Sequence, residues 1–136
     1  MQINATTDYA IRTVIYLSTH RSISTAGEIS RAINISSNYI LKIMKKLVEA
    51  NIVKTTKGVK GGFEINKKPS DISLYDIISI MENTININQC LDDEANCSMC
   101  ATKTCPVRAF YLSFQEEMES KFKEQTIQML IDNMAH

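Results

Sequence analysis

Much of what an enzyme or a membrane protein needs is missing from this chain of 136 residues. No apolar run approaches the roughly 20 residues that cross a bilayer, so no membrane partner is expected. The opening MQINATTDYAIRT has no apolar core behind a basic start, unlike a secretory leader, and a cytoplasmic location is expected. There are two histidines, His20 and His136, far apart in sequence. No nucleophile–base pair or carboxylate pair accompanies them, which argues against an enzyme. Internal repeats and low-complexity tracts are absent. Only two prolines occur, Pro69 and Pro106, so long stretches can be helical without interruption. Cysteine is missing from the first 89 positions and from everything after 105.

What is present divides into two unlike halves. Residues 1–70 carry eleven Lys or Arg against four Asp or Glu, a charge of +7. Residues 71–136 carry four against eleven, a charge of −7. The net charge of zero conceals this split, which suggests that the first half meets a polyanion. Two differently charged solvated surfaces would give the same numbers, so the choice falls to local pattern.

Residues 6–19 keep a helical spacing through Tyr9, Ala10, Thr13, Val14 and Leu17, with Thr6 or Thr7 as cap. Ser24 or Thr25 opens a short second helix, with Glu28 placed to complete a capping box from Thr25. After the turn 34–37, Ile40, Ile43, Met44, Leu47 and Val48 form one apolar stripe, while Asn38, Lys42, Lys45 and Lys46 lie opposite. A short helix, a turn, and a helix with a basic, amide-bearing outer face make a helix-turn-helix pattern. An ordinary amphipathic helix could carry the same lysines, but the segment that follows favours DNA. Residues 52–56 and 63–65 read as a hairpin turned by Gly58 and Gly61-Gly62, with Lys54, Lys57 and Lys60 along it: a basic wing. Ser36, Ser37, Asn38, Tyr39, Lys42 and Lys45 are therefore expected in the major groove of duplex DNA, and Lys57, Gly58, Lys60 and Gly61 along the adjacent backbone or minor groove. Pro69 ends this part, and a helix is expected from 70 or 71 to 83. A last long helix over about 107–133, begun by Pro106, carries Phe110, Tyr111, Phe114, Met118, Phe122, Met129 and Leu130. It could fold back on the body. A dimerisation helix is favoured, because helix-turn-helix proteins bind DNA as two-fold dimers.

Between these helices lie Cys90, Cys97, Cys100 and Cys105. The intervening LDDEANCSMCATKT is too polar to bury much of itself, so a thiolate-bound metal or a set of disulfides is expected to order it. Four readings stand: an iron–sulfur cluster, structural zinc, a thiol/disulfide switch, or buried structural thiols. The gaps of six, two and four residues are not the two close pairs of common zinc sites. Cys105-Pro106 resembles the end of a bacterial ferredoxin motif, whose other gaps differ.

Four stretches together resemble the Rrf2 family of bacterial winged-helix regulators. They are Asp8-Tyr9-Ala10-Ile11-Arg12, Ile35-Ser36-Ser37-Asn38-Tyr39-Ile40, Lys57-Gly58-Val59-Lys60-Gly61-Gly62-Phe63, and Ile72-Ser73-Leu74-Tyr75-Asp76-Ile77-Ile78. The resemblance implies a homodimer that binds an operator. It also implies a 2Fe–2S or 4Fe–4S cluster on three cysteines between the last two helices. Cys90 matches the first of these, Cys97 the middle one and Cys105 the third. Cys100 is extra and could replace Cys97 or serve as a fourth ligand. Some members take their fourth ligand from an aspartate in the first helix of the partner subunit, and Asp8 stands at that position. The chain departs from the family at Lys57, where Arg is usual and bidentate contact is lost. It departs again at Leu41, where one member has a glutamate that discriminates operators.

The expected molecule is mainly α with a small β-hairpin wing. It has a winged helix-turn-helix domain over 1–83, a cysteine-rich sensor loop over 84–106 and a dimerisation helix over 107–136. Its expected function is a transcriptional repressor controlled by a cysteine-held iron–sulfur cluster. A cluster-free thiol or zinc regulator is the alternative. An electron-transfer or cluster-assembly protein, whose basic half docks an acidic partner, is the rival of a different class.

Overall fold

The chain is described by a computed structural model over residues 2–93 and 103–134. Helix α1, Ala5–Thr19, is capped by Asn4, whose side chain accepts the Thr6 amide hydrogen at 3.0 Å. The cap expected at Thr6 or Thr7 thus moves two or three residues earlier. Thr7 is instead buried, and its hydroxyl donates to Glu82 at 2.9 Å. Helix α2, Ala26–Ile33, starts on the Thr25 side chain and ends at Asn34, in the left-handed region at φ 58°. The Ser30 hydroxyl donates to the Ile35 carbonyl across the turn that follows. Ser36 then caps helix α3, Ser37–Glu49. The stripe Ile40, Ile43, Met44 and Leu47 is buried as its spacing predicts.

Strands β1, Val53–Thr56, and β2, Gly62–Ile65, pair antiparallel with Val53 opposite Ile65. Ser24, just before α2, joins Phe63 through two backbone hydrogen bonds of 2.9 and 2.8 Å, anchoring the hairpin to the helices. Two glycines are set by close approach. A Cβ on Gly61 would lie 2.1 Å from the Thr56 carbonyl oxygen, and one on Gly62 would lie 2.5 Å from that of Ser24. Gly61 is expected along the DNA backbone or minor groove; the fold supplies a steric reason internal to the protein for it and for Gly62.

A 3-10 turn, Pro69–Asp71, leads to helix α4, Leu74–Met81. This helix is shorter than the expected 70–83. Ser73 and Asp76 form a reciprocal capping box that fixes its start, and Ile72 before it is extended. A second 3-10 turn, Gln89–Leu91, holds Cys90.

The single helix expected over 107–133 is two helices, α5, Pro106–Glu124, and α6, Ile127–Met134. The chain breaks helix at Gln125 and Thr126 to pair with the extended residues before α4. The Leu74 amide donates to the Gln125 carbonyl at 2.9 Å, and the Ile127 amide to the Ile72 carbonyl at 2.8 Å. Ile127 is thereby buried in the main core with Ala10, Val14, Leu17, Ile29, Ile40, Ile43, Met44, Leu47, Ile52, Val53, Ile72, Ile77 and Met81. Burying one such side chain contributes about 2 kcal/mol, and the two new backbone pairs offset the helical hydrogen bonds given up at the break. Helix α6 thus folds back onto α1, while α5 packs on α4 and the second 3-10 turn.

Candidate nucleic-acid interface and cysteine site

The N-terminus of α3 and the hairpin turn present the residues expected to meet DNA. Ser36, Ser37, Asn38, Tyr39, Lys42 and Lys45 are all exposed, at positions that place Asn38, Lys42 and Lys45 on one outer face. Two of the six have intramolecular duties as well. Ser36 Oγ accepts the Tyr39 amide hydrogen as the helix cap. The Tyr39 hydroxyl accepts from Thr6 Oγ1 at 3.2 Å, and its ring meets Tyr9 edge-on at 5.7 Å between centroids, so α1 steers it. Leu41 stands half exposed beside them. At the hairpin turn Lys57, Gly58 and Lys60 are exposed and Gly61 is partly covered. Gly58 adopts φ 111° with open space around it, a conformation that favours glycine. Val59 at the tip is fully exposed. Among the described residues Lys42, Lys45, Lys57 and Lys60 form no ion pair, whereas Lys54 on β1 is drawn to Glu64 at 3.6 Å. These four charges are available to an external anion.

The cysteine site is built from the second 3-10 turn, which packs on α5, and from the N-cap of that helix. Cys90 and Cys105 are both free thiols and half-buried. Asn88 Nδ2 donates to Cys90 Sγ at 3.4 Å. Cys105 is the N-cap of α5, its Sγ accepting the Arg108 amide hydrogen at 3.5 Å. Cys97 and Cys100 lie outside the described residues. Among the described residues, no three His, Cys, Asp or Glu side chains gather as a metal site would require. The donor chemistry at the two described positions nonetheless fits an iron–sulfur cluster or zinc: soft sulfur ligands whose sulfurs already accept N–H groups, as metal-bound thiolates commonly do. Asp8 lies on α1, about half exposed, paired with Arg12 at 3.0 Å.

Three polar groups around the cysteine turn escaped sequence reasoning. Gln115 is 3% exposed and holds the backbone of Ile85 and Ile87. Asp92 accepts from Thr84 Oγ1 at 2.6 Å and Asn86 Nδ2 at 2.8 Å. The Thr84 hydroxyl first, and the Asn86 amide second, hold its carboxyl below the ordinary carboxylate pKa. Glu82 accepts from the Asn4 amide at 2.7 Å and the Thr7 hydroxyl, tying the end of α4 to the start of α1. One signal was available for Gln115. Tyr111, Met118 and Phe122 face the body, and Gln115 interrupts that stripe at the i+4 position.

Helix α5 carries a second apolar stripe. Val107, Phe110 and Phe114 follow i, i+3, i+7 spacing and are exposed, Phe110 to 66%. The Phe110 and Phe114 rings stack at 6.5 Å. No helix among the described residues is long and apolar enough to cross a membrane.

The sequence pattern of the Rrf2 family, described as an iron-dependent transcriptional regulator, matches residues 3–133. The chain is 30% identical over 102 residues to the HTH-type transcriptional regulator NsrR of Bacillus subtilis, which covers 74% of this chain and 68% of that protein. Its fold is similar to T. potens IscR, with TM-score 0.78 at 16% identity, covering 98% of this chain and 88% of the other. It is also similar to CymR, the global cysteine regulator of B. subtilis, with TM-score 0.77 at 19% identity, covering 98% of each. These matches are to transcriptional regulators rather than to enzymes.

Proposed function

Because the chain belongs to the Rrf2 family of transcriptional regulators, we propose that it is a homodimeric repressor whose operator affinity is set by an iron–sulfur cluster. Cys90 and Cys105 are the anchoring ligands, with Cys97, Cys100 or both completing the set. A bound cluster supplies a centre on thiolate sulfur that can be lost, oxidised or attacked, and so reports a chemical signal. The remaining work belongs to the chain. Ser37, Asn38 and Lys42 read or approach base edges, and Lys57 and Lys60 grip phosphates on either side of Gly58. The exposed stripe Val107, Phe110 and Phe114 meets its counterpart on a second copy, an apolar surface that runs over about two helical turns. Since Cys105 caps that same helix, a change at the cysteines reaches the element that spaces the two recognition helices.

The observation that supports this reading most is that Cys90 and Cys105 are both free and half-buried, each sulfur accepting an N–H, on two elements that pack together. The experiment is iron and acid-labile sulfide per protomer after anaerobic purification, with ultraviolet-visible and Mössbauer spectra. Wild type should carry both elements. Cys90→Ser and Cys105→Ser should carry neither, whereas single replacements at Cys97 or Cys100 should keep a labile cluster. Asp8→Ala should alter cluster stability only if that carboxylate leaves Arg12 to reach a second protomer. Zinc in place of iron, or thiols alone, would establish the cluster-free regulator instead. Sequence-independent DNA binding would favour the electron-transfer or cluster-assembly reading.

A further inference from the structure

Cys90 is reached through a strap, residues 84–88, with no helix or strand of its own. Irregular backbone near a protein body keeps its place through side-chain hydrogen bonds, and here they converge from α5. Gln115 Oε1 accepts the Ile87 amide hydrogen at 2.9 Å, and Nε2 donates to the Ile85 carbonyl at 3.0 Å. One residue on, Asn88 Nδ2 donates to Cys90 Sγ. On the far side of Cys90, Asp92 closes back onto Thr84 and Asn86. One and two turns further along α5, Met118 and Phe122 face Ile85 and Ile87 across a cleft of about 170 Å³. The amide fixes the strap at one point along the helix.

We infer that Gln115 is the positioning residue that sets the register of Cys90 against α5. It is the single buried side chain of that helix, and it is polar at both ends, each spent on the strap backbone. A displacement of Cys90 passes through Asn88 and Ile87 to Gln115, in the middle of α5, ten residues from the Cys105 cap. The two cysteines thus load the same helix at separate points. A glutamine that merely filled a polar gap would stabilise the whole molecule without favouring one cysteine. The relevance to DNA binding rests on the reading of Cys90 as a ligand; the clamp itself does not.

The test uses the reduced, metal-free, full-length protein and measures iodoacetamide alkylation rates at each cysteine by peptide mapping. Gln115→Met keeps the length and removes both hydrogen bonds. Gln115→Glu keeps an acceptor for Ile87 and loses the donor to Ile85. Losing the clamp should raise the Cys90 rate about five- to tenfold in Gln115→Met and less in Gln115→Glu, with Cys105 within about twofold of wild type. An unchanged Cys90 rate, or an equal rise at both cysteines, overturns the inference. If Gln115→Met does not fold, the Cys90-to-Cys105 rate ratio in Gln115→Glu decides: a rise above wild type sustains the inference, and no rise overturns it. Iron-free wild type would overturn the cluster reading while leaving this comparison intact.

Discussion

At the scale of single residues, the proposed interface would divide into groups that position DNA and groups that read it. Lys57 and Lys60 sit on a turn with no carboxylate partner among the described residues, so their charge is open to an external anion such as phosphate. Lys57→Ala and Lys60→Ala should weaken binding to all sequences alike. Asn38→Ala or Ser37→Ala should change sequence preference, costing about 1–3 kcal/mol on the best site. A competition assay over a randomised operator separates the two, and identical behaviour would sink the division. Gly61 carries a different constraint. Gly61→Ala drives a Cβ into the Thr56 carbonyl, so the hairpin must open. Thermal stability should fall, and wing-dependent affinity should fall with it even though no charge is lost. Asp92 brings pH dependence to the cysteine turn. Its folded pKa lies below the ordinary value, so the ionised form favours the closed turn. That contribution is complete above the ordinary carboxylate range and is lost as pH falls through the lowered pKa. A carboxyl-carbon NMR titration should place the Asp92 midpoint below that of an unfolded aspartate, and Thr84→Val should move it upward.

At the scale of elements, α5 has two faces with separate tasks. The inner one, Tyr111, Gln115, Met118 and Phe122, holds the body and the strap. The outer one, Val107, Phe110 and Phe114, is uncovered in a single protomer. Phe114→Asp should therefore give a folded monomer in sedimentation, with operator affinity falling in step, because a charge in an apolar seam lacks a partner. A variant that remains dimeric would move the interface elsewhere. Met118 belongs to the inner face, so Met118→Asp should instead disturb the protomer. Helix α6 is held by Ile127, and Ile127→Ala should cost about 2–4 kcal/mol in denaturant unfolding through the cavity it leaves.

At the scale of the whole molecule, the charge split places a basic half, with Lys42, Lys45, Lys57 and Lys60 exposed, against an acidic half that carries the cysteine turn and α5. Binding to duplex DNA should show a log–log salt slope of roughly −4 to −8 for a dimer that neutralises several phosphates. A flat salt response would contradict the whole reading.

The amino-acid sequence by itself determined the winged helix-turn-helix. The stripe through α3, the Thr25 and Ser36 caps and the glycine-turned lysine hairpin are local patterns of period 3.6 or 2, and each shows in a few adjacent residues. It also marked the cysteine segment, because sulfur ligands are rare and clustered. Tertiary structure alone decided what depends on partners distant in sequence. Ile72 and Leu74 break the last helix at Gln125 by offering backbone hydrogen bonds and a core site for Ile127, an outcome that helical periodicity over 107–133 does not reveal. Gln115 likewise looks like one more polar residue on an exposed helix. Its role appears only when the strap 84–88, some thirty positions earlier, lies across it and presents two backbone groups that its amide pairs.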